Sequence, residues 1–300
     1  MVASAGGAKP AHAQLISPTP TGSPVSVGVL LVDVSQVNLV SGTYNADFYI
    51  WFNSTGSPQN VNFEFINGQA SSVTVDANTS TYQEYRVRGT FVTDLGFAEF
   101  PFDNHSLTIE VESKDLQASQ LTFVPDTRGS GADPSFSLNG WDLLGTSISA
   151  APHAYSGSQA FSRLTFAFTI GRPATQAFFK DVLPVALVAL IAMLAFALPP
   201  ARSFERVFIG VTTLLAAVQF HIALLGQIPA VDYLTYADDM MLTVYALILY
   251  GLGVTILLAR RVDKQEVDAA WKLNTKGAVL VPVVAAVVLA FLLLLGYAGV

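Results

Sequence analysis

The chain has 300 residues, of which 52% are hydrophobic and only 12% charged, with a formal net charge of -7 and no cysteine. Its mean hydropathy of +0.48 is far from that of an ordinary soluble domain. The missing cysteines exclude disulfides, thiol nucleophiles and cysteine metal sites, and the acidic balance leaves no basic patch for nucleic acid.

Residues 1–24 are rich in Ala, Gly, Pro and Ser, which is the composition of a disordered segment. Ala11-His12-Ala13 has the form of a signal cleavage site, but no apolar stretch precedes it, so a signal remnant is the alternative. From Val25 the pattern changes. Val25–Asp33 and Tyr44–Phe52 alternate apolar and polar residues, as half-buried strands do. Further strands are predicted at Val61–Ile66, Ser72–Val75, Tyr82–Val92, Leu107–Val111, Leu121–Val124, Leu143–Ile148 and Phe161–Ile170. Turn chemistry at Asn67-Gly68, Asp126–Gly131 and Asn139-Gly140 separates them. Many short strands at this spacing predict an all-β, immunoglobulin-like β-sandwich over residues 25–173.

Residues 174–300 carry four uncharged runs: Val182–Leu198, Val207–Ile228, Met240–Ala259 and Gly277–Val300. Each is close to the ~20 residues that cross a hydrocarbon core. The second half is therefore expected to be an all-α, four-helix transmembrane domain in the cell membrane. Arg202 and Arg206 flank the first connection, and Arg260, Arg261, Lys264, Lys272 and Lys276 fill the third. Basic connections stay in the cytoplasm, so the N-terminal domain is expected outside. That domain is acidic, which fits either ordinary solubility or a vestibule that concentrates cations.

The second run also carries polar groups, which are costly in lipid unless they face protein or water. Helical spacing puts Phe208, Thr212, Leu215, Gln219, Ile222 and Gly226 on one stripe, with Glu205 at its inner end. A ring of such stripes makes a pore: Thr212 and Gln219 suit water and ions, while Leu215 and Ile222 form apolar constrictions. His221 falls off the stripe, where an inter-helix hydrogen bond is expected in preference to proton sensing. The four histidines, His12, His105, His153 and His221, are scattered, and no metal-ligand cluster, phosphate loop or nucleophile motif suggests an enzyme or a cofactor.

Phe100-Pro101-Phe102-Asp103 resembles the tip of the signature loop of the pentameric ligand-gated ion channels, the Cys-loop receptor superfamily. Thr93 and Leu107 stand where animal members have the two cysteines, so the chain resembles the prokaryotic type without the disulfide. Other landmarks fall in family order: Gly140-Trp141-Asp142, Arg172 twelve residues before Pro184, and Pro229 followed by Tyr233-Leu-Thr-Tyr236. The resemblance implies a homopentamer in a lipid bilayer that passes inorganic ions in response to a small molecule or protons. It implies coupling through Phe100, Pro101, Phe102, Asp103, Arg172, Pro229 and Tyr233, with an Asp103–Arg172 ion pair at the domain junction. A further acid is usual in the first hairpin. Gln36 occupies the matching position, and Asp33 nearby is the candidate.

The ligand is left open. Ala46 and Lys114 stand where the family's aromatic cage has tryptophans, so a choline-like agonist is unsupported. Selectivity signals conflict. Gly210 and Thr212-Thr213 resemble anion-selective members, whereas Glu205 resembles the acidic ring of cation-selective ones. The expected reading is a cation channel with Glu205 as its selectivity residue. The alternatives are an anion channel of the same family or a non-conducting membrane sensor.

Overall fold

The computed structural model describes residues 22–54, 61–156 and 159–297. Of the expected N-terminal segment, residues 1–21 lie outside the described residues. Ser23 and Pro24 belong to the first strand, so the fold begins slightly earlier than expected.

The N-terminal half is a sandwich of two sheets. In the first sheet β4 (Gly68–Asn78), β5 (Tyr82–Val92), β2 (Thr43–Ser54) and β1 (Ser23–Asn38) are successive antiparallel neighbours. β7 (Leu121–Pro125) and the two-residue β8 (Gly131–Ala132) add to β1 in parallel. The second sheet is antiparallel, in the order β3 (Phe63–Phe65), β6 (Asn104–Ser113), β10 (Ala160–Gly171), β9 (Asp142–Ala154).

Alternation builds the core. β2 buries Tyr44, Ala46, Phe48, Ile50 and Phe52, and β10 buries Leu164, Phe166, Phe168 and Ile170, from opposite sheets. Burying each large apolar side chain contributes about 1.5–3 kcal/mol. β6 follows the same rule with His105, Leu107, Ile109 and Val111, which places one histidine in register with the core.

The first span, Ala174–Ala197, is a composite. Helix α1 (Ala174–Ala177) passes through a π turn (Phe178–Val182) into α2 (Leu183–Met193), and a 3-10 turn (Leu194–Ala197) ends it. Pro184 sits in the first turn of α2, where its missing N–H costs least. Then come α3 (Ser203–Leu225), α4 (Tyr236–Asp263) and α5 (Val267–Tyr297). Among the described residues, the first span, α3 and α4 are long and apolar enough to cross a membrane.

Helix α4 is the hub, packing on α2, α3 and α5. Small residues set the approach: a Cβ on Gly210 would lie 2.5 Å from Leu252 Cδ2, so α3 and α4 are closer there than any larger residue allows.

Candidate functional site

The two halves meet through one apolar cluster. Phe97 and Phe100 of the loop before β6 are buried with Val185, Leu224, Ile228, Ala237 and Met241 of the helical half. Leu39, at the tip of the β1–β2 hairpin, and Leu95 pack against the same cluster. The Phe100–Pro101 peptide is cis, Pro101 is buried, and the half-exposed Phe102 ring lies 6.1 Å from that of Tyr236.

Backbone bonds add direction to this contact. The first N–H groups of a helix have no partner within it. Here the loop supplies them: Tyr236 N donates to Ala98 O and Ala237 N to Phe100 O, both at 2.9 Å. Thr235 caps α4 itself, in a reciprocal box with Asp238. Phe97 N donates to the Tyr233 hydroxyl at 2.9 Å. The N-terminal sandwich thus forms part of the N-terminal cap of α4.

Behind the loop lies the charged group. Arg172 Nε donates to Asp103 Oδ1 at 2.9 Å, and His105 Nε2 lies 2.6 Å from Asp103 Oδ2. The Asp103 side chain is 1% exposed and that of His105 is fully buried. The guanidinium lies over the Phe100 and Trp141 rings at 5.2 and 4.9 Å, geometries of cation–π attraction. Burial alone would push the Asp103 carboxyl up. Its hydrogen bonds with His105 and Arg172, together with the Arg172 charge, outweigh it and hold Asp103 down at about 2.

The positions of the animal cysteines are bridged differently. Thr93 Oγ1 accepts from Thr108 N at 3.1 Å and lies 3.2 Å from Thr108 Oγ1, while Leu107 points into the core. Two hydroxyls therefore close the base of the loop.

The structure brings together Phe100, Pro101, Phe102, Asp103, Arg172 and Tyr233, with Ile228 and Val231 carrying the Pro229 loop onto the apolar cluster. It leaves out Asp33. A bulge between Leu31 and Asp33 shifts the register, and Asp33 lines a cleft with Ser35, Asn45, Asp47 and Arg88 in place of joining Arg172. Gln36 adopts a positive φ of 52° and accepts from Asn45 Nδ2 at 2.8 Å.

Helix α3 divides into two faces. Arg206, Gly210, Thr213, Ala217 and Leu224 are buried against the chain's own helices. Glu205, Phe208, Thr212, Leu215, Gln219, Ile222 and Gly226 are all exposed in the single chain. Arg206 is 1% exposed: Nη1 donates to Leu198 O and Nη2 to Asn274 Oδ1, both at 2.9 Å. Asn274 Nδ2 in turn donates to Phe196 O at 3.0 Å. The 3-10 turn ending the first span frees these carbonyls, and α5 supplies the amide. At the other end His221 lies 2.9 Å from Asp238 Oδ1 and 3.1 Å from the Tyr245 hydroxyl, the inter-helix bonds expected of it.

Sequence reasoning missed Leu39, Phe97, His105 and Asn274, and named Tyr236 only as a landmark of the loop before α4. His105 was within reach, since strand alternation puts it on the face of Asp103 and Leu107. Where the aromatic cage would stand, Ala46 is buried in the core, and Lys114 lines an open cleft of about 430 Å³ with Phe63, Phe65 and Tyr85.

No family model matches the chain. It is 24% identical over 227 residues to a proton-gated ion channel of Gloeobacter violaceus, covering 74% of this chain and 62% of that one. It is 29% identical over 164 residues to the human neuronal acetylcholine receptor subunit alpha-10, covering 54% of this chain and 36% of that one. A gamma-aminobutyric acid receptor subunit beta of Caenorhabditis elegans is 22% identical over 173 residues, covering 56% of this chain and 30% of that one. The chain thus spans less than two thirds of the length of the relatives it matches. They are an ion channel and receptor subunits, not enzymes. With its signature loop, its junction arginine and no cysteine, the chain is a relative of the pentameric ligand-gated ion channels, of the type that lacks the loop disulfide.

Proposed function

We propose that the chain is the subunit of a homopentameric ligand-gated channel that prefers cations. Residues 25–173 form the outer ligand-binding domain, and residues 174–300 form the membrane domain, with α5 as a fourth span. The observation that carries the reading is the two-faced α3. Its inward face is fully packed, yet Thr212 and Gln219 sit with Phe208, Leu215 and Ile222 on a face the subunit leaves bare. Polar groups in a span need protein or water beside them, and a ring of five copies supplies both. Leu215 and Ile222 are then the apolar constrictions that gate by dewetting.

A ligand or proton acting on the outer domain shifts the closed–open equilibrium through the loop that caps α4. Asp103 and Arg172 hold that loop, and Phe100, Pro101, Phe102, Pro229 and Tyr233 transmit its movement. The proton-gated relative makes protons a natural first agonist to try.

Selectivity rests on Glu205. It is exposed in the first turn of α3, while its neighbour Arg206 is turned about 100° away into the subunit. The nearest fixed charge to a permeating ion is negative, repeated around the axis. The test is a reversal potential in a salt gradient across liposomes. Wild type should reverse toward the sodium or potassium potential, and Glu205→Ala should lose or invert the preference. Reversal at the chloride potential would favour the anion reading, which Gly210, Thr212 and Thr213 support. A sealed protein under all conditions would favour a sensor.

A further inference from the structure

One titratable group at the junction is left incomplete. His105 is fully buried, its Nε2 faces Asp103, and its Nδ1 has no hydrogen-bond partner. Buried polar atoms in folded proteins almost always have partners, so an orphan inside a charged cluster calls for a reason. The ring is wedged between Phe97 and Trp141, with centroids 5.2 and 5.4 Å away.

The groups facing it are few. Asp103 and Arg172 touch the cluster directly. On β10 its register partner is the apolar Ile170, and on β9 the nearest charge is Asp142, opposite Gly171. In the loop, Glu99 is exposed and Phe97 is held by the neutral Tyr233 hydroxyl.

With its one proton on Nε2, a neutral ring donates to the Asp103 carboxylate, which Arg172 already balances. A second proton, taken from bulk water as the pH falls, has only Nδ1 to go to. It would place an N–H there without an acceptor and two cations on one carboxylate, in a nearly dry site. The cluster relaxes by letting Nδ1 reach water, and the loop carrying Phe97, Ala98 and Phe100 has to move to admit it. Those residues hold the Tyr233 loop and the first turn of α4.

We propose that His105 is a proton-binding site at the domain junction, and that protonation of its orphan Nδ1 loosens the grip of the signature loop on α4. It supplies the regulation of the channel reading above and depends on that reading only for ion flux.

Trp141 gives a direct readout, since a protonated imidazole quenches a neighbouring indole. Emission of the intact protein in liposomes should be followed from about pH 8 to 5, the range in which imidazoles change charge, with sodium flux measured in parallel. Wild type should show a fall in emission that is lost in Trp141→Phe and in His105→Gln, which keeps a donor to Asp103 but does not titrate. The pH-dependent part of the flux should disappear in His105→Gln as well. No Trp141-dependent transition in wild type, or an unchanged one in His105→Gln, overturns the proposal. Should His105→Gln fail to fold, Asp103→Asn decides: losing the carboxylate that faces Nε2 should displace the Trp141 transition to lower pH, and an unmoved transition overturns the proposal. A Trp141 transition without flux at any pH leaves the proton site standing and removes the channel.

Discussion

The two halves of the molecule finish their cores differently. The sandwich closes on itself: Phe48, Phe91, Phe166 and Phe168 are all 0% exposed within one chain. The helical bundle does not. Phe208, Leu215 and Ile222 of α3 remain 59–64% exposed, although the opposite face of the same helix is packed around Arg206 and Leu224. A sandwich needs only water around it. A bundle with a bare, mixed polar and apolar face needs lipid on one side and something polar-tolerant on the other. The same chain thus carries a self-sufficient unit and an incomplete one, joined where the loop at Phe97–Asp103 caps α4.

The largest test of this contrast is assembly. If the bare α3 face is completed by copies of itself, the protein extracted into mild detergent should have a mass about five times its 31.9 kDa. The isolated sandwich should bind itself far less tightly. A stable monomer of the whole chain would mean that the α3 face is covered by lipid alone, and the contrast would lose its functional meaning.

Next in size is the joint. Arg172→Ala leaves Asp103 buried with His105 as its only other side-chain partner. Stranding a buried charge in this way costs about 3–5 kcal/mol. Because the lost bonds are at the joint, activation should suffer more than the sandwich does. Circular dichroism should show retained strand content, while flux or current evoked by acid falls steeply. Unchanged activation would take the ion pair out of the coupling.

Acid should act on the same carboxylate with a defined sign. Asp103 is held at about 2 against an ordinary 3.8, so the folded state binds its proton less readily than the unfolded one. The resulting stabilisation is complete above the unfolded value. It is lost as the pH falls from there through the folded value. Two units are worth roughly 2–3 kcal/mol. Thermal melts from pH 7 to 2.5 should show Asp103→Asn losing less stability below about pH 4 than wild type does. Parallel curves would mean that the site is wetter than its burial implies.

How far the sequence was legible follows from the physics of each element. β2, β5 and β10 were readable because alternation continues through nearly their whole length. β8 has two residues and no period to read. β1 ran five residues past its predicted end; a register shift between Leu31 and Asp33 turns Asp33 away from Arg172, and a second between Ser35 and Asn38 breaks the alternation beyond it. The exposed stripe of α3 was readable from a 3.6-residue period alone. Asp103 and Arg172 lie 69 residues apart and were paired only through the family resemblance. Asn274 had no signal at all: one amide in an apolar helix takes its meaning from the carbonyls of Phe196 and Leu198, freed where the first span tightens.

The smallest effect concerns the base of the loop, where animal relatives of the family have a covalent bridge and this chain has Thr93 and Thr108. Thr93→Val keeps the shape of the side chain and removes its oxygen. The Thr108 N–H loses its acceptor, and Thr108 Oγ1 loses a neighbour at 3.2 Å. Both groups are only partly buried, so water can replace some of what is lost. The net cost should be about 1 kcal/mol, the worth of an ordinary intramolecular hydrogen bond. A disulfide there would constrain the unfolded chain as well, which these bonds do not. Thr93→Val should therefore lower the melting temperature of the sandwich by a few degrees and leave the oligomeric state and the α3 face untouched. A loss of several kcal/mol, or a change in oligomeric state, would mean that the loop base supports the bundle as well as the sandwich.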